Sequence, residues 1–247
     1  MQIYARNDSN FLIAAVDADK NSDYYCLECG GTVRCRGGIR RRCHYYHLCK
    51  PRRCRQEGKS LVHLQVQEHL HHLLPGSALE VRFDAIDRIA DVVWEQEKLI
   101  FEVQCSAISA EELQARNADY GKLGYQVVWV LHDRRYNRRH LSDAELVLQG
   151  SPHYFTNMTD VGSGQIYDQR AWIEDAVRRR WSGRAFVDLS KPERLNGELF
   201  FSGDLRARID TKKLPIRRAE WIYGFWERLV CHPYRLLLQV LLERACR

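Results

Sequence analysis

Two carboxylates and an amide stand in the halves of one predicted hairpin. Asp91 lies in Arg-Ile-Ala-Asp-Val-Val-Trp (88–94), and Glu102 and Gln104 lie in Leu-Ile-Phe-Glu-Val-Gln-Cys-Ser (99–106). Both runs are apolar and β-branched, and the charged break Glu-Gln-Glu-Lys between them reads as a turn. A turn centred on Gln96 and Glu97 sets Asp91 opposite Glu102, with Cβ atoms roughly 4.5–5.5 Å apart. Carboxylates that close repel unless a cation or a proton sits between them. Alternation puts Gln104 on the same face as Glu102. Acidic oxygens with room for water suit Mg²⁺ or Mn²⁺ rather than zinc. The same acids could serve as the solvent face of an amphipathic hairpin. Val92, Val93, Leu99, Ile100 and Phe101 argue instead for strands buried on both faces, where an uncompensated carboxylate is costly. Neutralising either acid is then expected to relieve repulsion and slightly stabilise the metal-free protein. Glu80, in the strand-like run Leu79–Phe83, either joins them as a third acidic ligand or points outward.

A second constellation is Cys26-Leu-Glu-Cys29-Gly-Gly followed by Cys43-His44-Tyr-Tyr-His47. Cys-x₂-Cys on a reversing chain aims two thiolates at one point, and Gly30 and Gly31 permit the reversal. His44 and His47 complete a four-ligand set, and a closed tetrahedral site of this kind holds structural Zn²⁺. Cys35, Cys43, Cys49 and Cys54 could compete as ligands. An odd total of nine cysteines mixed with histidine favours metal over disulfides.

The same stretch is basic. From Gly30 to Gln56 there are nine Arg or Lys residues and no Asp or Glu, with Tyr45 and Tyr46 among them. Guanidinium groups pair with phosphates and aromatic faces stack on bases, so Arg40, Arg41, Arg42, Arg52 and Arg53 are candidate nucleic-acid contacts. Arg134, Arg135, Arg138 and Arg139 form a second cluster.

The elements that must position these groups follow from pattern. Residues 2–16 read as two short strands around Asn7-Asp-Ser-Asn10, a turn signal. Ser60–Leu74 reads as a helix stopped by Pro75-Gly76. Ser109–Leu123 reads as a helix with a capping box from Ser109 and Glu112 and a stop at Gly124. Arg116 and Tyr120 share a face of it at i and i+4, and Arg116 is a candidate phosphate ligand if that face borders the site. Gln126–Leu131 is a buried strand. Further on, a helix ends near Gly150, and His153–Met158 and Gln165–Asp168 read as strands. Trp172–Trp181, Ile216–Val230 and Tyr234–Ala245 read as helices.

Composition is globular, with 45% apolar and 28% charged residues among 247. The formal charge of +6 is compatible with a polyanionic partner. Met1–Asn10 lacks the basic and apolar regions of a secretory signal, and Leu236–Leu242 is far short of a membrane span. A cytoplasmic protein with no membrane partner is expected.

Arg88-Ile-Ala-Asp-Val, Glu102-Val-Gln-Cys-Ser, Ile108-Ser, Arg116-Asn-Ala-Asp-Tyr120 and Gln126-Val-Val-Trp-Val-Leu131 together resemble the competence protein CoiA family. Asp91 with Glu102-Val-Gln104 looks like the core of the PD-(D/E)XK, or restriction-endonuclease-like, nucleases, with glutamine where those enzymes usually carry lysine. The resemblance spans roughly residues 1–160, the zinc-finger-like module included. It implies an α/β restriction-endonuclease-like core (helix, three strands, helix, strand) at 59–150. A zinc-binding module at 1–58 and a mostly helical region at 151–247 would flank it. His63 falls in the family's Ser-x₂-His pattern and is implied to contact a phosphate or help move a proton. The resemblance implies a metal-dependent DNA nuclease of natural competence, acting on single-stranded DNA or recombination intermediates, with recombination proteins as possible partners. The alternative is a nucleic-acid-binding recombination factor that keeps the nuclease fold without cutting.

Overall fold

The run from Arg88 to Gln104 folds as a hairpin near one edge of a seven-stranded sheet. In this computed structural model, residues 2–38, 41–49, 54, 59–195 and 198–203 are described. Strands β1 (Tyr4–Arg6) and β2 (Leu12–Ala14) form the hairpin expected around Asn7–Asn10. With β3 (Asp23–Tyr25), β4 (Thr32–Gly38) and β5 (Arg41–His47) they make a five-stranded antiparallel sheet of order β2-β1-β3-β4-β5. Helix α1 (Leu61–Leu73) is capped by Ser60, whose hydroxyl accepts from the His63 N–H. Then come β6 (Ala78–Phe83), β7 (Arg88–Trp94), β8 (Leu99–Gln104), α2 (Ala110–Lys122) and β9 (Gln126–His132). This is helix, three antiparallel strands, helix and a parallel strand, in the order read from the sequence. Val92 pairs with Phe101 and Trp94 with Leu99, the register that sets Asp91 against Glu102. Lys98, at φ 54°, supplies the left-handed residue that closes the turn.

The sheet extends beyond that core. After α3 (Asp143–Leu148), β10 (His153–Thr156) adds in parallel to β9, and β11 (Ile166–Asp168) pairs antiparallel with β10. The expectation of a helix at Trp172–Trp181 is corrected: this stretch forms the hairpin β12 (Ala171–Glu174) and β13 (Val177–Trp181). Asp175 and Ala176 both take positive φ, 51° and 59°, the backbone of a type I′ turn without its usual glycine or asparagine. Strand β14 (Ala185–Phe186) closes the large sheet, and β15 (Asp188–Leu195) pairs with β16 (Glu198–Ser202). The region after residue 150 is therefore built of strands as far as it is described, not mostly of helices. The expected helices at 216–230 and 234–245 lie outside the described residues.

Helices cover both faces of the sheet, so its strands are apolar throughout rather than alternating. Leu64, Leu70 and Leu74 of α1 pack with Val92, Phe101, Val103 and Val130, joined by Leu189, Leu199 and Phe201 of the last hairpin. Leu113 and Tyr120 of α2 pack on the other face with Val93, Ile100, Val127 and Trp129. Among the described residues, no helix is long and apolar enough to cross a membrane.

Candidate active site and candidate zinc centre

Asp91 is 4% exposed and Glu102 1% exposed, and neither charge is left uncompensated. Asp91 Oδ1 accepts from Lys59 Nζ at 2.9 Å and from Gln67 Nε2 at 2.9 Å, and lies 3.1 Å from His63 Nε2. Its Oδ2 accepts from the Val103 N–H at 2.9 Å. Glu102 accepts from Arg116 Nη1 at 2.6 Å and from the Tyr120 hydroxyl at 2.8 Å. The two opposed acids thus turn to different helices, Asp91 to α1 and Glu102 to α2. Both ends of this hairpin have a physical cause. Glu80, at φ 51°, interrupts the β6–β7 ladder between the pairs Leu79↔Val92 and Val81↔Ala90, directly beside Asp91. A non-glycine residue held there costs on the order of 1 kcal/mol or more. Its carboxylate shares Lys59, with Oε1 accepting at 3.1 Å, while Oε2 accepts from the Ile3 and Tyr4 N–H groups. Of the two orientations open from the sequence, Glu80 takes the inward one, beside Asp91, and it also ties the N-terminal strand there.

Burial would raise the Asp91 carboxyl, but His63 and Lys59 outweigh it and hold it well below the usual carboxylate range. Glu102 goes the other way. Burial, with repulsion from Asp91, prevails over Arg116 and pushes it up to about 7. The expected relief of repulsion on neutralising an acid therefore applies to Glu102 and is reversed at Asp91, whose charge is the better stabilised form.

These groups line or underlie a cleft of about 710 Å³. Lys59, Ser60, His63, Asp91, Gln104, Ser109 and Arg116 line it, so both α1 and α2 begin at its wall. Helix N-termini favour anions there. The expectation that both carboxylates open directly into one cleft holds for Asp91. Glu102 sits beneath Arg116, which lines the cleft in its place. Gln104 stands at the rim, its amide N–H₂ donating to Ser106 O at 2.8 Å and Ser106 Oγ at 3.2 Å. Arg116 is bound to Glu102 and, through Nε, to Glu112 at 2.9 Å, rather than extending a free guanidinium for phosphate.

The donor chemistry fits a hard divalent cation. All the acids are oxygen ligands, and Glu80, Asp91 and Glu102 bring three carboxyl groups together with Lys59 and Arg116. Gln67 Oε1, in a fully buried side chain beside Asp91, accepts from no group among the described residues. Asp91 and Glu102 would hold such a cation, each exchanging a bond to Lys59 or Arg116 for one to the metal.

The second centre differs from its sequence reading in one ligand. Cys26, Cys29, His47 and Cys54 bring four donor atoms within 4.8 Å of one another. The Cys26–Cys54 sulfurs are 3.6 Å apart and Cys29 Sγ is 3.3 Å from His47 Nε2. Tetrahedral zinc with the usual bond lengths needs edges of about 3.5–3.8 Å, so the cluster could bind zinc. His44 is the correction. Three residues from His47 on the same strand, it points to the opposite face, where its Nε2 accepts from Arg36 Nε at 3.0 Å. Cys54 takes the fourth corner. The glycine pair acts as read: Gly30 has φ 66°, and a Cβ on Gly31 would stand 3.3 Å from Cys29 Sγ. Cys54→Ser should release the zinc, about one ion per chain by elemental analysis, whereas His44→Ala should retain it; the opposite result would restore the sequence reading.

Glu28, inside the Cys26–Cys29 turn, lines the cleft, so the candidate zinc centre borders it. Arg134, Arg135, Arg138 and Arg139 are all exposed. Their loop is tied to the rim by the Tyr136 hydroxyl, which donates to Ser106 O at 2.6 Å. It is braced from below by buried Arg178, which donates to Arg138 O at 2.7 Å and to Glu145 at 2.9 Å. Arg40, Arg52 and Arg53 lie outside the described residues, and for Arg41 and Arg42 only the strand backbone is described.

A pair of opposed buried acids thus lies on one hairpin, beside a cleft where two helices begin. Residues 59–160 match the family model of the competence protein CoiA nuclease-like domain, so that segment is similar to the CoiA-like family. No curated protein and no solved structure matches the chain. Lys59 and Gln67, which sequence reasoning missed, are the site's other polar anchors. Gln67 follows His63 at i+4, so the helical face that carried His63 could have pointed to it. Lys59 carried no such signal.

Proposed function

We propose that the chain is a divalent-metal-dependent DNA nuclease that processes incoming DNA during natural competence and its recombination. The observation that carries this reading is the opposed pair Asp91 and Glu102 beside a cleft with Lys59 and Arg116 in it. Mg²⁺ or Mn²⁺ bound at the two carboxylates supplies an activated water and charge stabilisation for the phosphate. In hydrolysis the water oxygen bonds to phosphorus, the phosphoester P–O bond breaks, and the departing oxygen takes up a proton. The α1 and α2 N-termini at the cleft wall would receive backbone phosphates, and Arg116 would join them only on leaving Glu102 or Glu112. Gln104 stands where it could orient the water, and His63 where it could accept or return a proton. The cleft, with Glu28 in its lining and the arginine loop tied to Ser106 at its rim, suits single-stranded DNA or a frayed recombination intermediate, with recombination proteins as later partners. The direct test is incubation of labelled single-stranded, duplex and branched DNA with and without Mn²⁺. Metal-dependent products support the reading, and their absence with all three substrates removes it.

A second reading keeps DNA binding without cutting. It is favoured by Gln104 in place of lysine and by the protein cations already bound to each acid. Both readings put DNA on the arginine loop. Replacing Arg134, Arg135, Arg138 and Arg139 with alanine should flatten the dependence of log K on log salt. The slope should drop by about 0.7 for each single-strand phosphate that the loop no longer neutralises. An unchanged slope would move the binding surface elsewhere.

A further inference from the structure

The hairpin supplies the site's acids but no cation: residue 104 is an amide, and its N–H₂ is taken up by Ser106. Arginines at the cleft wall are engaged as well. Arg88 donates to Glu112 at 2.6 Å and to Asp119 at 3.0 Å, and Arg116 bridges Glu102 and Glu112. The lysine of the lining comes from a different part of the chain. Lys59, just before the Ser60 cap of α1, places its ammonium 2.9 Å from Asp91 and 3.1 Å from Glu80, with its side chain 11% exposed. An ammonium is a compact point charge on a flexible stem and can pass from one oxygen to another, which a forked guanidinium locked on two carboxylates cannot do cheaply.

We infer that Lys59 carries in this site the positive charge that position 104 does not, holding the DNA phosphate next to Asp91. The inference rests on the nuclease reading and adds a residue to it. In the metal-free protein the ammonium occupies the space between Asp91 and Glu80, where a cation is needed to keep the two acids together. Asp91 would hold a divalent ion only by giving up its bond to Lys59, and the ammonium would then turn to the nearest other anion, a phosphate oxygen in the cleft. Its ammonium is held by two carboxylates at once, which suits a fixed charge rather than a base. Two consequences separate this role from simple packing. Removing the ammonium weakens the hold on the phosphate while removing a competitor for the metal. A lysine arriving from the hairpin side should replace it.

The test compares wild type, Lys59→Gln, Lys59→Arg and the double variant Lys59→Gln/Gln104→Lys. Each is assayed for Mn²⁺-dependent cleavage, for Mn²⁺ affinity by calorimetry, and for binding of a single-stranded oligonucleotide in Ca²⁺. Lys59→Gln should cut about 100-fold more slowly, the size expected for losing one charged group from the transition state. It should bind Mn²⁺ several-fold more tightly and the oligonucleotide about tenfold more weakly. The double variant should recover at least tenfold in rate. Lys59→Arg keeps the charge and the fold, and should retain oligonucleotide binding. Equal rates for wild type and Lys59→Gln would overturn the inference, as would a well-folded double variant with no recovery. A wild type that never cuts removes the nuclease reading alone. The lysine's role is then decided by the oligonucleotide, which binds Lys59→Gln as tightly as wild type if Lys59 does not hold phosphate.

Discussion

Asp91→Asn is expected to abolish metal-dependent cleavage and also to cost the metal-free protein about 3–5 kcal/mol, the usual penalty for breaking one side of a buried ion pair. The residue anchors Lys59, His63, Gln67 and the Val103 N–H together. An asparagine cannot accept from three donors on one side while leaving Lys59 and Glu80 balanced. Glu102→Gln should behave differently. Its amide oxygen can still accept from Arg116, and at pH 6 the native carboxyl is already largely protonated. Its stability should therefore change by about 1 kcal/mol or less at that pH, with cleavage again reduced about 100-fold or more. Urea unfolding at pH 6, beside a cleavage assay in Mn²⁺ at low temperature, reads both effects. Equal stability losses in the two variants would show that the acids share one environment, against the division between α1 and α2. Cleavage that survives both substitutions would place the chemistry elsewhere.

What the sequence carried well is what local rules control. The hairpin register followed from two β-branched runs of matched length around a four-residue break, and it set Asp91 against Glu102 as built. Ser60 and Ser109 marked the starts of α1 and α2, since capping is settled within one turn. The α2 capping box is only half formed, because the Glu112 carboxylate is taken by Arg88 and Arg116. His44 was misread because a Cys₂His₂ spacing assumes a helix under the histidines. On strand β5 a separation of three reverses the face, and the fourth donor atom of the cluster is then that of Cys54, after a stretch with no spacing rule. Trp172–Trp181 failed as a helix because its turn uses left-handed Asp175 and Ala176, whose side chains give no turn signal. Lys59 and the Glu80 interruption arise from packing among segments far apart in the chain, where periodicity says nothing.

The carboxyl of Glu102, held up to about 7, gives the protein an opposed pH dependence for folding and for metal binding. Its folded value lies above the ordinary glutamate value of 4.5, so between about pH 4.5 and 7 the native state holds this proton more tightly than the unfolded chain. Stability should fall as pH rises through that window, by on the order of 3 kcal/mol for a shift of this size. Asp91 contributes with the opposite sign and at lower pH. Its folded value is depressed, so its stabilisation is present above the ordinary aspartate value of 3.8 and is lost as pH falls toward the folded value. The two acids therefore act in separate ranges, and Glu102→Gln should flatten the upper one alone. A metal bound at the pair must displace the Glu102 proton, because only the carboxylate is a ligand. Mn²⁺ affinity should then rise about tenfold per pH unit below about 7 and level off above it, with close to one proton released per ion at about pH 6. Calorimetry in two buffers of different ionisation enthalpy measures that proton directly. An affinity flat from about pH 5.5 to 8, or no proton released, would remove Glu102 from the metal's ligands and leave Asp91 with Glu80 as the acidic pair to test.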